Sequence, residues 1–201
     1  MTAVLSIPNG KRSFSIAQSP VQVAQIAWEL EAMMTLYVAR APKRVLEIGT
    51  FCGGTLFHFL KNATDGATVV TVDSLVDAPD NRHLFPDWCP EGVHCVPLIG
   101  DSHDAETIAL VSEHGPFDFV FIDGLHTYDA VKQDWDDYRK LAAPGAVIGL
   151  HDICLVRDYP ETGETAGVQK LWREIQQSGA VTQEIVCQPG QTEYGVGVIY
   201  L

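Results

Sequence analysis

The sequence predicts an α/β protein with a doubly wound, mostly parallel seven-stranded sheet, an antiparallel last strand and an N-terminal helical cap. Two observations predict this class. Beyond Pro42, short apolar runs alternate with segments of helical periodicity, which is the pattern of a parallel sheet with crossover helices. Near the end of the chain, two apolar runs flank the turn signal Pro189-Gly190, as expected for an antiparallel pair that ends the sheet.

The cap is predicted upstream of Pro42. Ser19 followed by Pro20 predicts a helix start, because serine caps helices and proline suits the first helical position. The apolar residues that follow recur at helical spacing: Val23, Ile26, Ala27, Leu30, Met33, Met34 and Tyr37. Residues 1–42 are therefore interpreted as an N-terminal segment with a cap helix, and residues 43–201 as the main domain. The apolar stripe would cover that domain or join a second subunit, as in a homodimer or higher oligomer.

The strands of the main domain are predicted where short apolar runs are bounded by turns. In chain order they are Arg44–Ile48, Ala67–Val72, Val93–Ile99, Phe117–Ile122, Ala146–Leu150, Thr182–Cys187 and Gly195–Tyr200. The first, second and fourth are almost wholly apolar, as parallel strands covered on both faces are. Helices are predicted over Thr55–Lys61, Ala105–Glu113, Tyr128–Leu141 and Val168–Gln177. The stretch Ile153–Ala166 lacks periodicity and follows a strand end, where a lid would lie.

Composition limits the classes of partner. The 201 residues are 46% apolar and 19% charged, so the chain is able to bury a core and is not of the disordered class. Thirteen basic residues against 26 acidic ones give a net charge of -13, which repels nucleic-acid phosphates and anionic membrane surfaces. We therefore expect no nucleic acid and no membrane as partner, whereas the charge suits a site that holds a cation.

The sequence also predicts a cytoplasmic compartment. No apolar run approaches the roughly 18 residues of a membrane span, and Met1 to Gly10 lack the features of a secretory signal. The five cysteines are odd in number and include no Cys-x-x-Cys pair, so reduced thiols are expected rather than a disulfide framework or a zinc site.

The loop after the first predicted strand carries a ligand-binding pattern. It reads Glu47-Ile48-Gly49-Thr50-Phe51-Cys52-Gly53-Gly54, at the carboxyl end of a strand, where open parallel sheets bind ligands. Gly49 permits a tight turn and Gly53 a close approach of backbone to ligand. Phe51 stands where the dinucleotide fingerprint has its second glycine, which disfavours a nicotinamide dinucleotide. Glu47 suits a cationic or amine-bearing ligand.

The next two strand ends add polar groups that suit a nucleoside. Asp73 follows the second apolar run and would accept hydrogen bonds from two ribose hydroxyls. Asp101 and Ser102 follow the third strand, in the segment Gly100-Asp101-Ser102-His103-Asp104, and would contact an adenine edge. Three successive strand ends therefore predict one nucleoside site.

With these motifs, the chain resembles class I S-adenosylmethionine-dependent methyltransferases. Glu47-x-Gly49-x-x-x-Gly53 and Asp73 match the first two motifs of that superfamily. More narrowly, the chain resembles metal-dependent small-molecule O-methyltransferases of the catechol, macrolide-sugar and cephalosporin-cluster types. In the catechol type a Gly-x-Ser-Gln-Asp segment meets adenine; here Ser102 matches and His103 replaces the glutamine. The resemblance implies a Rossmann-like fold that binds S-adenosyl-L-methionine. The residues it implies for the cofactor are Glu47, Gly49, Thr50, Gly53, Asp73, Ser74, Asp101, Ser102 and Asp123.

A metal site is predicted where the fourth and fifth strands end. Because parallel strand ends lie side by side, Asp123, His151 and Asp152 are expected to converge on one divalent cation. The resembling families have Asp-Asn or Glu-Asp where this chain has His151-Asp152. Imidazole suits Mn²⁺ or softer metals better than Mg²⁺. Three interpretations stay open at this stage: a metal softer than Mg²⁺, a site without His151, or no metal.

His126 lies three residues after Asp123, at the offset where the resembling enzymes place a catalytic lysine or histidine. Imidazole is suited to remove the proton of a hydroxyl that attacks a sulfonium methyl group. We therefore expect His126 to act as general base in methyl transfer to a hydroxyl of a small-molecule acceptor. The alternatives are a metal-independent methyltransferase for nitrogen or a carboxylate, a non-catalytic S-adenosylmethionine-binding or assembly module and, against the evidence of Phe51, a dehydrogenase.

Overall fold

The computed structural model describes residues 18–76, 79–156, 158–159, 164–165 and 167–201. The helices are α1 (Ala27–Arg40), α2 (Gly54–Lys61), α3 (Phe85–Trp88), α4 (Ala105–Ser112), α5 (Tyr128–Tyr138) and α6 (Gly167–Gln177). The strands are β1 (Arg44–Ile48), β2 (Thr68–Asp73), β3 (His94–Ile99), β4 (Phe117–Ile122), β5 (Ala142–His151), β6 (Asp158–Tyr159), β7 (Glu164–Thr165), β8 (Val181–Ile185) and β9 (Val196–Tyr200).

A seven-stranded sheet has the order β3-β2-β1-β4-β5-β9-β8. Strands β1 to β5 pair in parallel, whereas β9 runs antiparallel to both β5 and β8. The predicted α/β class, the seven-stranded sheet and its antiparallel last strand are therefore confirmed. The strand order reverses between β1 and β4, and doubly wound sheets bind ligands in the crevice at such a reversal.

Apolar side chains cover both faces of the sheet, which explains the nearly continuous apolar runs in β1, β2 and β4. On one face, Met33 of α1 and Phe59 of α2 pack in the cluster that contains Phe119 and Phe121 of β4. The other face carries a second cluster, to which α5 and α6 contribute residues that include Val131, Tyr138, Leu171 and Trp172. Helices on both faces thus hold the strands, and the loops at their carboxyl ends stand on a rigid base.

The apolar stripe of α1 covers the sheet. Its four largest inward-facing residues are at most 1% exposed: Leu30, Met33, Met34 and Tyr37. The hydroxyl of Tyr37 donates a hydrogen bond to the carbonyl of Phe59 at 3.1 Å. The helix ends at Arg40, and Ala41 adopts the left-handed conformation immediately before Pro42, where the sequence placed the end.

The predicted start of this helix at Ser19-Pro20 is wrong, because α1 begins at Ala27. The preceding residues lie against α2 instead of forming a helical turn. A Cβ added at Gly54 would lie 2.2 Å from the carbonyl oxygen of Gln22, so the two backbones are in direct contact. Tertiary packing has overridden the local capping signal here.

Strand β5 and the predicted lid also differ from the sequence prediction. Strand β5 begins at Ala142 rather than Ala146, because its first residue pairs with Phe117 before a register shift. The predicted lid Ile153–Ala166 contains a short antiparallel hairpin, β6 with β7. Residues 157, 160–163 and 166 of that lid lie outside the described residues.

All five cysteines are free, as expected for a chain without a disulfide framework. Among the residues that the structure describes, no helix is both long enough and apolar enough to cross a membrane.

Candidate active site

A cavity of about 900 Å³ opens at the carboxyl ends of β1, β4 and β5. The segment before α1 and the connection between β8 and β9 form its other walls. Its lining residues include Gln25, Gly49, Phe51, Asp123, His126, His151, Asp152 and Tyr194. The cavity therefore lies beside the reversal in strand order, where the fold class predicts a ligand.

The glycine loop, which follows β1, packs directly against the end of β4. Gly49 has φ +88°, and a Cβ added there would lie 2.0 Å from the backbone oxygen of Asp123. Any other residue at position 49 would clash, so glycine is required both for its conformation and for the close approach. Gly53 has φ +87°, and its added Cβ would lie 3.1 Å from the rings of Phe85 and Trp88. The buried aromatic pair on α3 thus forms the floor under this loop.

Asp73 joins the loops after β1 and β2. Its Oδ2 accepts a hydrogen bond from the backbone N–H of Phe51 at 2.7 Å, and its Oδ1 accepts one from the N–H of Leu75 at 2.7 Å. Asp73 and Thr50 line a second, smaller cavity with Ile99 at the end of β3. A carboxylate has about four acceptor positions, so Asp73 retains lone pairs for further donors in that cavity.

Glu47 supports the glycine loop from within the sheet. It is fully buried, and its Oε2 accepts a hydrogen bond from the Thr71 hydroxyl at 2.6 Å. The Thr71 hydroxyl in turn contacts that of Thr50, a loop residue. Burial raises the pKa of Glu47 well above its ordinary value, despite the hydrogen bond from Thr71. Its Oε1 has no hydrogen-bond partner among the described residues.

The loop after β3 is fastened to α5. The carbonyl of Ser102 accepts a hydrogen bond from the Tyr138 hydroxyl at 2.7 Å, and Asp101 Oδ1 accepts one from the N–H of His103 at 2.9 Å. The carboxylate of Asp134 lies 3.2 Å from His103 Nε2. The side chains of Asp101 and Ser102 line neither of the two cavities.

Asp134 is fully buried, although it belongs to the acidic run Asp134, Asp136 and Asp137 on α5. Burial raises its pKa to about 6, although Ser102 and His103 act in the opposite direction. A signal for this was present: Asp134 shares one helical face with Val131 and Tyr138, and all three are buried.

Two carboxylates and two imidazoles meet where β4 and β5 end. His126 Nε2 lies 3.0 Å from Asp152 Oδ2 and 3.8 Å from Asp123 Oδ1. His151 Nδ1 lies 3.0 Å from Asp123 Oδ1 and 3.4 Å from Asp152 Oδ2. One ligand atom from each of Asp123, His126 and Asp152 lies within 4.8 Å of the other two, as a metal site requires.

Burial distinguishes the two imidazoles. The side chain of His126 is 28% exposed, whereas that of His151 is 3% exposed. His151 Nε2 is buried and has no hydrogen-bond partner among the described residues. Of the two imidazoles, that of His126 is therefore the one open to a molecule in the cavity.

The charges of the cluster stabilise one another. Burial alone would raise the pKa of Asp123, but the charge of His151 and hydrogen bonds from both histidines lower it to about 2. Burial would lower the pKa of His151, but Asp123 and Asp152 raise it to about 10. The pKa of His126 is raised by the same two carboxylates, which outweigh its burial. Without a metal, the imidazoles thus provide the positive charge that the carboxylates need.

Asp152 holds a strained backbone. Its φ is +61°, in the left-handed region that a non-glycine residue rarely adopts. Such outliers concentrate at functional sites, and this one lies immediately after β5, where the Asp152 carboxylate meets His126.

Gln25 is a site residue that sequence reasoning missed. Its Nε2 donates a hydrogen bond to Asp123 Oδ2 at 2.9 Å, and its Oε1 accepts one from the Thr55 hydroxyl at 2.6 Å. Sequence spacing assigned Gln25 to the cap helix, so no signal along the chain pointed to the cavity.

A family profile described as a methyltransferase domain matches residues 46–153, which run from β1 through β5. The chain belongs to this family. The matched region of the methyltransferase domain contains the glycine loop, Asp73 and the four residues of the carboxylate–imidazole cluster.

Relatives of this methyltransferase domain include O-methyltransferases. The probable caffeoyl-CoA O-methyltransferase 3 of Dictyostelium discoideum is 28% identical over 118 residues, which are 55% of this chain and 44% of that protein. The match therefore spans less than half of that relative. Among solved structures, the O-methyltransferase TomG from Streptomyces achromogenes, in complex with SAM, has a TM-score of 0.63 and 21% identity, over 89% of this chain and 81% of TomG.

A second solved structure is MycE from the mycinamycin biosynthetic pathway, in complex with Mg, SAH and mycinamycin VI. It has a TM-score of 0.55 and 20% identity, over 84% of this chain and 48% of MycE. These structural likenesses show that the methyltransferase domain has the fold seen in both enzymes.

The methyltransferase domain brings five predicted residues together at the large cavity: Gly49, Asp123, His126, His151 and Asp152. Thr50 and Asp73 lie at the smaller cavity. The other predicted residues line neither of these cavities: Glu47, Gly53, Ser74, Asp101 and Ser102.

Proposed function

We propose that this protein transfers the methyl group of S-adenosyl-L-methionine to a hydroxyl of a small molecule, with the assistance of a divalent cation. One observation carries the proposal: Asp123 contacts the glycine loop through its backbone and the two imidazoles through its side chain. The proposed sites of methyl donor and acceptor therefore share one wall, and the fold and family of the domain agree with this chemistry.

The glycine loop and Asp73 fit the cofactor. Gly49 and Gly53 adopt left-handed conformations that let the loop pack on Asp123 and on the α3 aromatic pair, and the loop held in this way lines both cavities. Asp73 would accept hydrogen bonds from the ribose hydroxyls with its remaining lone pairs. Thr50, Ser74, Asp101 and Ser102 would complete this site around the nucleoside, and Glu47 would support it through Thr71.

The carboxylates of Asp123 and Asp152 fit a divalent cation, and His151 Nδ1 lies within 3.4 Å of both. We propose these three residues as ligands for Mg²⁺, Mn²⁺ or a softer metal. A bound cation would lower the pKa of the acceptor hydroxyl.

His126 would remove the proton of the acceptor hydroxyl. Its Nε2 lies 3.0 Å from Asp152 Oδ2, which would stabilise the imidazolium that forms, so Nδ1 would be the nitrogen that takes the proton. The acceptor oxygen would attack the methyl carbon as the bond from carbon to sulfur breaks, with S-adenosylhomocysteine as the leaving group. Beyond this proton transfer, the chain has to hold oxygen, carbon and sulfur in line.

A transfer assay tests the proposal. Radiolabelled methyl groups from S-adenosylmethionine would be followed into a panel of catechols, phenols, sugars, amines and carboxylic acids, with Mn²⁺, with Mg²⁺ and with a chelator. We expect label to appear in the hydroxyl acceptors, and we expect the chelator to suppress this labelling. Transfer to amines or carboxylic acids that the chelator does not affect would contradict the proposal in favour of a metal-independent enzyme. Cofactor binding without transfer to any acceptor would favour a non-catalytic module.

A further inference from the structure

We propose that Gln25 is a positioning residue, which sets the orientation of the Asp123 carboxylate and connects it to α2 at the glycine loop. This inference rests on the proposed function, because it concerns the carboxylate that would serve the cation and the acceptor.

The hydrogen bonds determine which way the Gln25 amide faces. The Thr55 hydroxyl donates to the amide oxygen at 2.6 Å, so the amide nitrogen faces Asp123 Oδ2 and donates to it at 2.9 Å. An amide rotated by half a turn would direct its NH₂ group away from the carboxylate and lose this donor.

Gln25 controls one oxygen of Asp123 while the imidazoles contact the other. Oδ2 is bonded to Gln25, and Oδ1 lies 3.0 Å from His151 Nδ1 and 3.8 Å from His126 Nε2. The terminal torsion of aspartate is broad, so the donor on Oδ2 and the His151 contact on Oδ1 together hold the plane of the carboxylate. Loss of the Gln25 donor would leave the Asp123 carboxylate held at one oxygen only.

The backbone that carries Gln25 is itself held in place. The carbonyl of Gln22 packs on Gly54, one residue before Thr55, at a distance that excludes any side chain. Ile26 is the extended N-cap of α1, so the helix begins immediately beyond Gln25. Two successive hydrogen bonds therefore run from the first turn of α2, next to the glycine loop, to the carboxylate on the acceptor side.

This arrangement predicts a selective defect in Gln25→Ala. The kcat should fall by about 10–100-fold, because misplaced reacting groups cost rates of this order. The dissociation constant for Mn²⁺ should rise by about 10-fold or more, as it does when an outer partner of a metal ligand is removed. The affinity for S-adenosylhomocysteine and the melting temperature should stay near those of the wild type.

Gln25→Glu and two Thr55 variants sharpen the test. Gln25→Glu replaces the donor with a carboxylate beside Asp123 and should be at least as impaired as Gln25→Ala. Thr55→Val removes the hydroxyl that orients the amide and should show the same defect in weaker form. Thr55→Ser keeps a hydroxyl and should retain the wild-type kcat and Mn²⁺ affinity. The matched control is Gln18→Ala, in the same segment but exposed and outside the cavity.

Each protein would be measured by Mn²⁺ binding with electron paramagnetic resonance, S-adenosylhomocysteine binding by calorimetry, thermal melting, and kcat with the best acceptor. Selective loss of kcat and Mn²⁺ affinity supports the inference. Values for Gln25→Ala equal to those of Gln18→Ala overturn it, and so does a variant that loses cofactor affinity and melting temperature together. Wild-type protein that binds neither Mn²⁺ nor S-adenosylhomocysteine would instead refute the proposed function.

Discussion

His126 Nε2 lies 3.0 Å from Asp152 Oδ2, so a histidine after β4 and an aspartate after β5 form one pair at the cavity. We predict that His126→Ala lowers kcat by about 10²–10⁴-fold, the usual contribution of a general base. Mn²⁺ affinity should change little if His151 is the imidazole ligand. Steady-state kinetics and Mn²⁺ titration check this, with exposed His94→Ala as control. An unchanged rate would exclude His126 as the base, and lost Mn²⁺ affinity would make it a ligand.

The two contacts of Asp123 predict separable effects. Asp123→Ala should abolish turnover, because the side chain that meets both imidazoles is removed. S-adenosylhomocysteine affinity should be nearly intact, because the glycine loop packs on the backbone oxygen of Asp123, which alanine retains. Calorimetry and the transfer assay on the same preparation measure both quantities. Equal loss of binding and turnover would contradict the separation of roles.

Buried Asp134 predicts a pH dependence of stability. Its pKa is about 6 in the folded protein and roughly 3.9 in an unfolded chain, so the folded state binds more protons between these values. The contribution of this group to the free energy of unfolding therefore falls as pH rises from about 4 to about 6 and is level above that. Asp134→Asn should remove the decline, which is on the order of 3 kcal/mol.

Urea unfolding at a series of pH values checks the Asp134 prediction, since the difference between variant and wild type isolates this one group. Exposed Asp129→Asn, on the same helix, should keep the wild-type profile. A profile of Asp134→Asn parallel to the wild type would mean that Asp134 is ionised in the folded state down to its ordinary pKa.

Glu29 predicts a large effect on stability at the connection between β8 and β9. Its buried carboxylate accepts hydrogen bonds from the backbone N–H groups of Cys187 and Gly195, each at 2.9 Å, and from the side chain of Gln191 at 2.7 Å. Glu29→Ala leaves these donors unpaired and should cost about 2–4 kcal/mol of unfolding free energy. Exposed Glu31→Ala, in the same helix, should change stability by less than about 0.5 kcal/mol. Equal effects of the two substitutions, measured by urea unfolding, would contradict the role of Glu29.

The sheet was predictable from the sequence because the burial of a strand determines its residue pattern. Parallel strands covered on both faces must be mostly apolar, and β1, β2 and β4 have this composition. The candidate site followed from the same rule, since polar residues at the ends of such strands must meet at one edge. Asp123, His126, His151 and Asp152 are joined in the structure for that reason.

Features set by contacts between distant segments were not predictable. The start of α1 at Ala27 depends on the packing of Gln22 against Gly54, and nothing near Ser19 in the sequence reports that contact. Gln25 reaches Asp123 only because the helix begins so late. The burial of Asp134 left a trace in helical spacing, but its partner His103 comes from a different loop, so the pair itself could not be foreseen.

Titration of dialysed, folded protein with S-adenosylhomocysteine by calorimetry tests the central claim most directly. We predict saturable heat for one site, with weaker binding in Asp73→Asn, which lacks a full carboxylate for the ribose hydroxyls. Circular dichroism of the same samples would establish that both proteins are folded. Folded wild-type protein that gives no heat with millimolar S-adenosylhomocysteine or S-adenosylmethionine would contradict the account.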